Sequence, residues 1–277
     1  MEAGERRRVG HTGAVASYVR RAIPLIAFGI VLSACGTSSA TPGTPGAAPT
    51  VDRSYSATVL ADAPAAYWRM GESAGTSMND ATRNGNNGSY AGGVALGQPG
   101  AIAGDKGTAV AFDGRNAAAT VPGSRSLQVN AVSIEMWIKK TTETGYGMYV
   151  AKNVARGGGA GSSWFQLLNN SFNGRLEFRV TGDYDPVLVS STSLALNTWY
   201  YVVATYDGTT ARLYINGKLD ASLAAVATPA QTDDPLYIGR RADGFFNNAV
   251  LQEVAIYPTA LSAERITAHW NAAMAKP

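Results

Sequence analysis

Few residues in this chain could do chemistry, and their spacing narrows the choice further. Imidazole comes from His11 and His269 alone, and the one thiol is Cys35. His11 lies in the amino-terminal leader and His269 near the carboxyl end on an expected terminal helix, so neither Cys-His nor Ser-His-Asp catalysis is well placed. Zinc would want clustered His or Cys, and the chain has no such cluster. Retaining glycoside hydrolysis needs two carboxyl groups a few ångströms apart. The strand Ser133 to Lys139, SIEMWIK, offers Glu135 alone, read here as a structural or solvent-facing residue. The loop Gly157 to Gly161 lacks the Lys-Ser/Thr pair that would engage phosphate. No catalytic residue is assigned.

The elements that would position any site are mostly strands. Trp199, Tyr201, Val203 and Thr205 alternate with Tyr200, Val202, Ala204 and Tyr206, the period of two of a strand between two environments. After Asp207-Gly208, Arg212 to Ile215 is a second strand. Asn216-Gly217, which tolerates the positive φ of a type I′ turn, returns the chain along Lys218 to Leu223. Val132, Ile134, Met136 and Ile138 share one strand face, and Ser133, Glu135, Trp137 and Lys139 the other. Further strands are expected at Tyr67–Glu72, Ser89–Val94, Thr108–Gly114, Ala118–Val121, Gly147–Asn153, Ser163–Leu168, Gly174–Val180, Pro186–Ser191, Asp234–Gly239 and Asn248–Tyr257. Past Pro258 a short helix is expected, capped by Ser262. Leu261 and Ile266 would staple its start, and Ile266 and Trp270 would form its buried face.

The amino-terminal part has a different character. Arg20-Arg21 precede the apolar run Ala22 to Leu32, which is too short to span a bilayer stably. It ends in Leu32-Ser33-Ala34-Cys35-Gly36, which resembles the lipobox of bacterial lipoproteins. That resemblance implies a signal over residues 1–35, removal of the leader, and acylation of Cys35 as a membrane anchor. The preamble before Val19 is long, and a translation start near Val15 or Val19 is an alternative. Residues 36–54, beginning GTSSATPGTPGAAPT, are rich in Ser, Thr, Pro, Gly and Ala and cannot build a core, so they are read as a disordered linker. A folded domain over 55–277 follows. The formal charge of +3 sits largely in Arg6, Arg7, Arg8, Arg20 and Arg21. The remainder is near neutral and offers no basic face for nucleic acid. A lone Cys leaves no intrachain disulfide.

Four stretches carry a family resemblance: YWRMGE with NDATRNGNNG, TAVAFDG, WYYVVATYDG with LYINGK, and NNAVLQEVAIYPTALSAERITAHW. Together they resemble the laminin-G-like domains of bacterial proteins, within the concanavalin A-like lectin/glucanase superfamily, over about residues 60–273. The resemblance implies an all-β, two-sheet antiparallel jelly-roll sandwich with a short C-terminal helix. The carboxylate pattern of the superfamily's glycosidases, E-x-D-x-x-E or E-x-D-x-E, is missing. Related domains carry a structural Ca²⁺ between the N-terminal loop and the final strand, which would select Glu72, Asp80, Gln252 and Glu253. Gln252 stands where the family has Asp, which would weaken such a site. Ligand contact is expected from residues outside the core alternation: Trp164, Tyr184, Arg240, Arg241, Phe245 and Phe246. Trp68, Trp137 and Trp199 are read as core. The resulting expectation is a monomeric, non-catalytic, lipid-anchored module facing outside the cytoplasm and binding a glycan or a protein. A polysaccharide hydrolase and a structural envelope lipoprotein are the alternatives.

Overall fold

The computed structural model describes residues 54–275, apart from 103, 157–158, 172, 181–186 and 228–230, and gives backbone only for 153–163. Cys35 and Tyr184 lie outside the described residues. The chain begins with helix α1 (Tyr55–Ala61) and continues through β1 (Ala66–Trp68), β2 (Ser77–Met78), β3 (Gly88–Ala91), β4 (Ala95–Pro99), β5 (Thr108–Asp113) and β6 (Ala118–Val121). The middle holds β7 (Val132–Lys140), β8 (Met148–Arg156), β9 (Gly159–Asn169), β10 (Arg175–Val180) and β11 (Val187–Ser193). Then come β12 (Trp199–Tyr206), β13 (Thr210–Ile215), β14 (Lys218–Ala224), β15 (Leu236–Ile238), β16 (Asn248–Tyr257) and helix α2 (Ala263–Met274).

Among the described residues these strands make two eight-stranded sheets. The first runs β14-β13-β12-β7-β16-β5-β4, with β1 also paired to β16; the second runs β11-β10-β9-β8-β15-β6-β3-β2. The strand pairings among the described residues are antiparallel, as in a jelly-roll sandwich. Alternation assigns each face. In β7, Val132, Ile134, Met136 and Ile138 enter the core between the sheets with Phe112, Trp164, Phe165, Phe178 and Tyr206. Trp137 of the same strand joins a second apolar cluster with Tyr67, Tyr201, Tyr257, Val59 and Ile266. That cluster lies on the outer side of the first sheet, roofed by α1 and α2.

The helices form for local reasons and stay for distant ones. Ser54, expected to end the linker, caps α1 by accepting from the Ala57 N–H at 3.3 Å; Tyr55 and Val59, one turn apart, are its buried face. Seven residues are too few to be helical alone, so the contact of that face with the sheet decides. Ser262 caps α2 as expected, accepting from Arg265 N at 3.4 Å. Ile266 is buried, Trp270 is half-buried and stacks on Trp137 at 5.7 Å, and His269 is buried beside them. The turn at Asn216-Gly217 has φ of 51° and 78°, as type I′ requires. A Cβ at Gly217 would lie 2.9 Å from Trp270, so glycine there serves both the turn and the packing of α2. No helix of the described residues is long and apolar enough to cross a membrane.

Candidate functional site

Residues of the second sheet that do not enter the core lie on its outer face. The pairings set Thr120 beside Tyr237, Tyr237 beside Ala151, Ala151 beside Gln166, and Gln166 beside Arg179. Arg179 is therefore three strands from Tyr237, about 14 Å at the usual spacing. Each end of this row carries a guanidinium against a ring. Arg179 bonds Glu177 and lies 5.8 Å from the centre of Tyr146. Arg240 lies 4.8 Å from the centre of Tyr237 and 5.5 Å from that of Phe246. Ala151 and Gln166 between them are buried, so the accessible part is the rim formed by loops 141–147 and 239–247.

Those loops are tied together. Asn247 donates from Nδ2 to the Gly147 carbonyl at 3.2 Å and from its N–H to the Gly239 carbonyl at 2.8 Å. Met148 N–H donates to the Phe245 carbonyl at 2.9 Å. Asn169 Nδ2 reaches Thr144 at 2.7 Å. Phe245 sits at φ 55°, a left-handed conformation unusual for a large side chain, of the kind that marks functional loops when the surroundings hold it. Its ring is 43% exposed and that of Tyr146 is 45% exposed. Two aromatic rings on a rim fixed by backbone hydrogen bonds, with guanidinium groups beside them, form a surface suited to a ligand with both apolar faces and polar edges.

The six expected contact residues part company here. Arg240, Phe245 and Phe246 come together in loop 239–247. Arg241 belongs to the same loop but is 5% exposed. Its Nε and Nη2 bond both oxygens of Asp243 at 2.7 and 2.9 Å, and it lies 4.6 Å from the centre of the Phe245 ring, so it supports that ring from beneath. Trp164 is a correction. It is fully buried in the core between the sheets, donates from Nε1 to the Val129 carbonyl at 3.0 Å, and meets Phe165 and Tyr206 edge-on. Pairing irregularities between β8 and β9 interrupt simple alternation beside it, which is why Trp164 and Phe165 both turn inward. Tyr146 and Tyr237 were missed; their sequence signal was an aromatic in a polar loop and one in a short strand, neither separable from core residues.

A second concavity opens elsewhere. A cavity of about 720 Å³ is lined in part by Arg69, Glu72, Asn79, Asp105, Lys106 and Glu253. Glu253 stands at a bulge in β16, at φ 56°, and donates its N–H to the Arg69 carbonyl at 3.2 Å; Met70 follows Arg69 at φ 58°. The Glu253 carboxyl accepts from Tyr67, and from Arg69 Nε and Nη2 at 3.2 and 3.1 Å. The same Nη2 bonds Asp105 at 2.8 Å. Burial pushes Glu253 up to about 7, against the lowering effect of Arg69.

The residues expected to hold calcium do not converge. Glu72 and Glu253 share the cavity, which neither Asp80 nor Gln252 lines. Glu72 accepts from Asn79 N at 2.9 Å and Tyr90 at 2.9 Å. Asp80 orders its own loop, accepting from the N–H groups of Tyr67, Thr82 and Asn86 at 3.0, 2.9 and 2.8 Å. Gln252 Oε1 accepts from Ala101 N at 2.7 Å. Calcium needs several oxygens aimed at one point, and in this geometry the four do not supply that. No group of three or more His, Cys, Asp or Glu among the described residues could hold a metal ion.

Glu135 has an unexpected setting. It is buried on the outer side of β7 and accepts from the hydroxyls of Tyr55, Tyr201 and Tyr257 at 2.7, 2.9 and 2.6 Å. His269 Nδ1 lies 2.9 Å from its Oε2, and His269 Nε2 lies 2.8 Å from Asp62. Each ring nitrogen faces an acceptor, so both carry protons and the ring is an imidazolium. Burial alone would raise the Glu135 carboxyl, but His269, Tyr257 and Tyr55 hold it below its usual range. Burial would lower His269, but Glu135 and Asp62 raise it. Glu135 and His269 are both fully buried, and the group pins α1 and α2 to the sheet.

The comparisons agree with this architecture. A family model, Laminin_G_3, of the concanavalin A-like lectin/glucanases superfamily matches residues 113–267. The chain belongs to this superfamily. No curated protein matches its sequence. Among solved structures, the superfamily fold recurs in domain 4 of AbnA, a GH43 extracellular arabinanase from Geobacillus stearothermophilus, in complex with arabinotriose. The TM-score is 0.56 at 18% identity, over 76% of this chain and 98% of that one. The receptor binding domain of botulinum neurotoxin C/D mosaic serotype gives 0.57 at 18% identity, over 76% and 51%. Trypanosoma rangeli sialidase in complex with the inhibitor DANA gives 0.56 at 14% identity, over 74% and 32%. The chain spans about half the length of the toxin binding domains it matches. At these identities the likeness is one of fold.

Proposed function

We propose that this chain is a recognition module that binds glycans, held outside the cytoplasm by acylation of Cys35 and a linker over 36–54. The observation that carries the binding reading is the rim of loops 141–147 and 239–247, where Arg240 lies against Phe246 and Arg179 against Tyr146, with the Tyr146 and Phe245 side chains exposed along it. Rings offer a face to the C–H side of a sugar, and guanidinium and amide groups fix its hydroxyls. Support comes from AbnA domain 4, which was solved with arabinotriose, and from a botulinum neurotoxin DC binding domain solved with SialylT. The test is binding of the purified full-length chain, in detergent, to a broad glycan array with and without calcium. Selective binding that is weakened by Phe245→Ser supports the reading. A folded chain that binds no glycan overturns it in favour of a protein ligand. Loss in chelator would bring calcium back at the Glu72–Glu253 cavity. The anchor is tested by metabolic labelling with an alkyne fatty acid, where incorporation should vanish in Cys35→Ser.

A second reading, polysaccharide hydrolysis, is favoured by one observation. Glu253, with its carboxyl raised to about 7, and Asp105 bond the same nitrogen of Arg69 on a cavity wall. Two carboxyl groups on one cavity wall, one of them raised towards neutral pH, resemble the pairing that glycosidases use. Tyr67 and Arg69 hold Glu253 in a structural role, which makes binding the stronger reading. Release of reducing ends from a polysaccharide panel, abolished by Glu253→Gln, would reverse that order.

A further inference from the structure

We propose, resting on the glycan-binding reading above, that the glycan is anionic and that its carboxylate or sulfate group is received by Arg240. The rim carries three guanidinium groups in different states. Arg179 is bonded to Glu177. Arg241 bonds both oxygens of Asp243. Arg240 meets no carboxylate among the described residues. Its neighbours are the Tyr237 and Phe246 rings, 4.8 and 5.5 Å from its guanidinium carbon, and the Ala242 carbonyl, 3.4 Å from Nη2. Its buried Nε has no hydrogen-bond partner.

Aromatic faces hold a cation without cancelling its charge. Arg240 is thus half-buried, oriented by two rings, and still carries an uncompensated positive charge. Desolvating a charge without pairing it is unfavourable, and an anion brought by a ligand removes that penalty. A neutral sugar could supply hydroxyl acceptors but not the charge. The guanidinium edge is a planar fork that matches two oxygens of a carboxylate or sulfate, and stacking fixes its plane before the ligand arrives. Phe246, 5.5 Å from the guanidinium carbon, would meet the apolar face of the sugar next to the anionic group, and the exposed Phe245 and Tyr146 extend the aromatic surface along the rim. The position of Arg240 follows from its own surroundings: Gly239 at φ 83° lets the chain leave β15 with Phe112 only 2.5 Å from where a Cβ would stand, and the next side chain folds back over Tyr237.

The test uses the full-length chain in detergent and paired probes: oligogalacturonate and sialyllactose beside their carboxyl-reduced forms, and a sulfated galactan oligosaccharide, which has no carboxylate, beside its desulfated form. Binding to at least one charged member, with its neutral counterpart at least tenfold weaker, is expected. Whether the carboxylated or the sulfated pair shows the contrast tells which anion is recognised. Arg240→Gln should weaken that binding by about ten- to hundredfold, while Arg240→Lys, which keeps charge but loses the fork, should fall between. Thermal melting reports whether the variants are folded; if Arg240→Gln is not, the wild-type probe pairs still decide. Equal binding of charged and neutral partners, or undiminished binding by folded Arg240→Gln, overturns the anionic assignment and leaves glycan binding standing. No binding to any probe, nor to a neutral glycan array, overturns both.

Discussion

Glu135 and Glu253 are both buried carboxyls, but neighbours outweigh burial at the first and burial outweighs neighbours at the second. Glu135 is held ionised by an imidazolium and three phenols, and Glu253 is raised by burial to about 7. Linkage turns this into a pH dependence of stability. His269 is raised above 6.5 in the folded chain. Its contribution is therefore complete below 6.5 and lost as pH rises through the folded value. Glu253 binds its proton more tightly folded than unfolded, between about 7 and the reference 4.5, so stability also falls as pH rises across that window. Glu135 acts the other way: its contribution is present above 4.5 and lost as pH falls through its lowered value. The melting temperature should be higher near pH 5 than at pH 8. Scanning calorimetry across pH 3–9 measures this, and His269→Gln should remove part of the alkaline decline. A flat profile from pH 5 to 8 would contradict the placement of these groups.

At the scale of elements, the β13–β14 hairpin shows how a turn and a distant helix come to depend on one residue. Gly217→Ala would force a Cβ into a left-handed backbone and against Trp270. A loss on the order of 1–3 kcal/mol is expected, read by chemical denaturation, with Trp270 fluorescence altered. This hairpin was legible from Asn-Gly between two alternating runs, and so were β7, β12 and α2, where period and capping act within a few residues. Helix α1 was not legible: its seven residues carry too little periodicity, and what keeps it folded is Tyr55 bonding to Glu135, eighty residues later in sequence. The two-residue β2 and the exposed β4 have the same difficulty, since their pairing partners define them. The rim was legible only in part. Arg240, Phe245 and Phe246 stood out as rings and charges in a Gly-containing loop, but the inward turn of Trp164 beside an irregular β8–β9 pairing, and the approach of Tyr146 to Arg179, depend on tertiary geometry that the local pattern does not encode.

At the scale of the whole molecule, one sheet is roofed by helices and the other meets its surroundings through loops. This division predicts separable effects. Trp164→Ala removes an indole from the inter-sheet core and should cost about 3–5 kcal/mol of stability, with any loss of binding tracking unfolding. Phe245→Ser removes a ring that is 43% exposed and should leave stability within about 0.5 kcal/mol while weakening glycan capture. Parallel denaturation and glycan-array measurements on both variants check this. If Trp164→Ala stays fully stable yet loses binding, the ring belongs to the site after all.

The contact between Asp62 and His269 spans almost the entire described chain. Helix α2 is made after every strand, so during synthesis Glu135 lacks its imidazolium partner and the apolar side of the first sheet lacks half its roof. The sandwich has no early stopping point at which that carboxylate is compensated. Order should therefore be committed late, when the last turn of chain arrives to close on the first, as a clasp closes a bracelet. A nascent chain cut before Ala263 would stay sensitive to protease, and one reaching Met274 would become resistant in a single step.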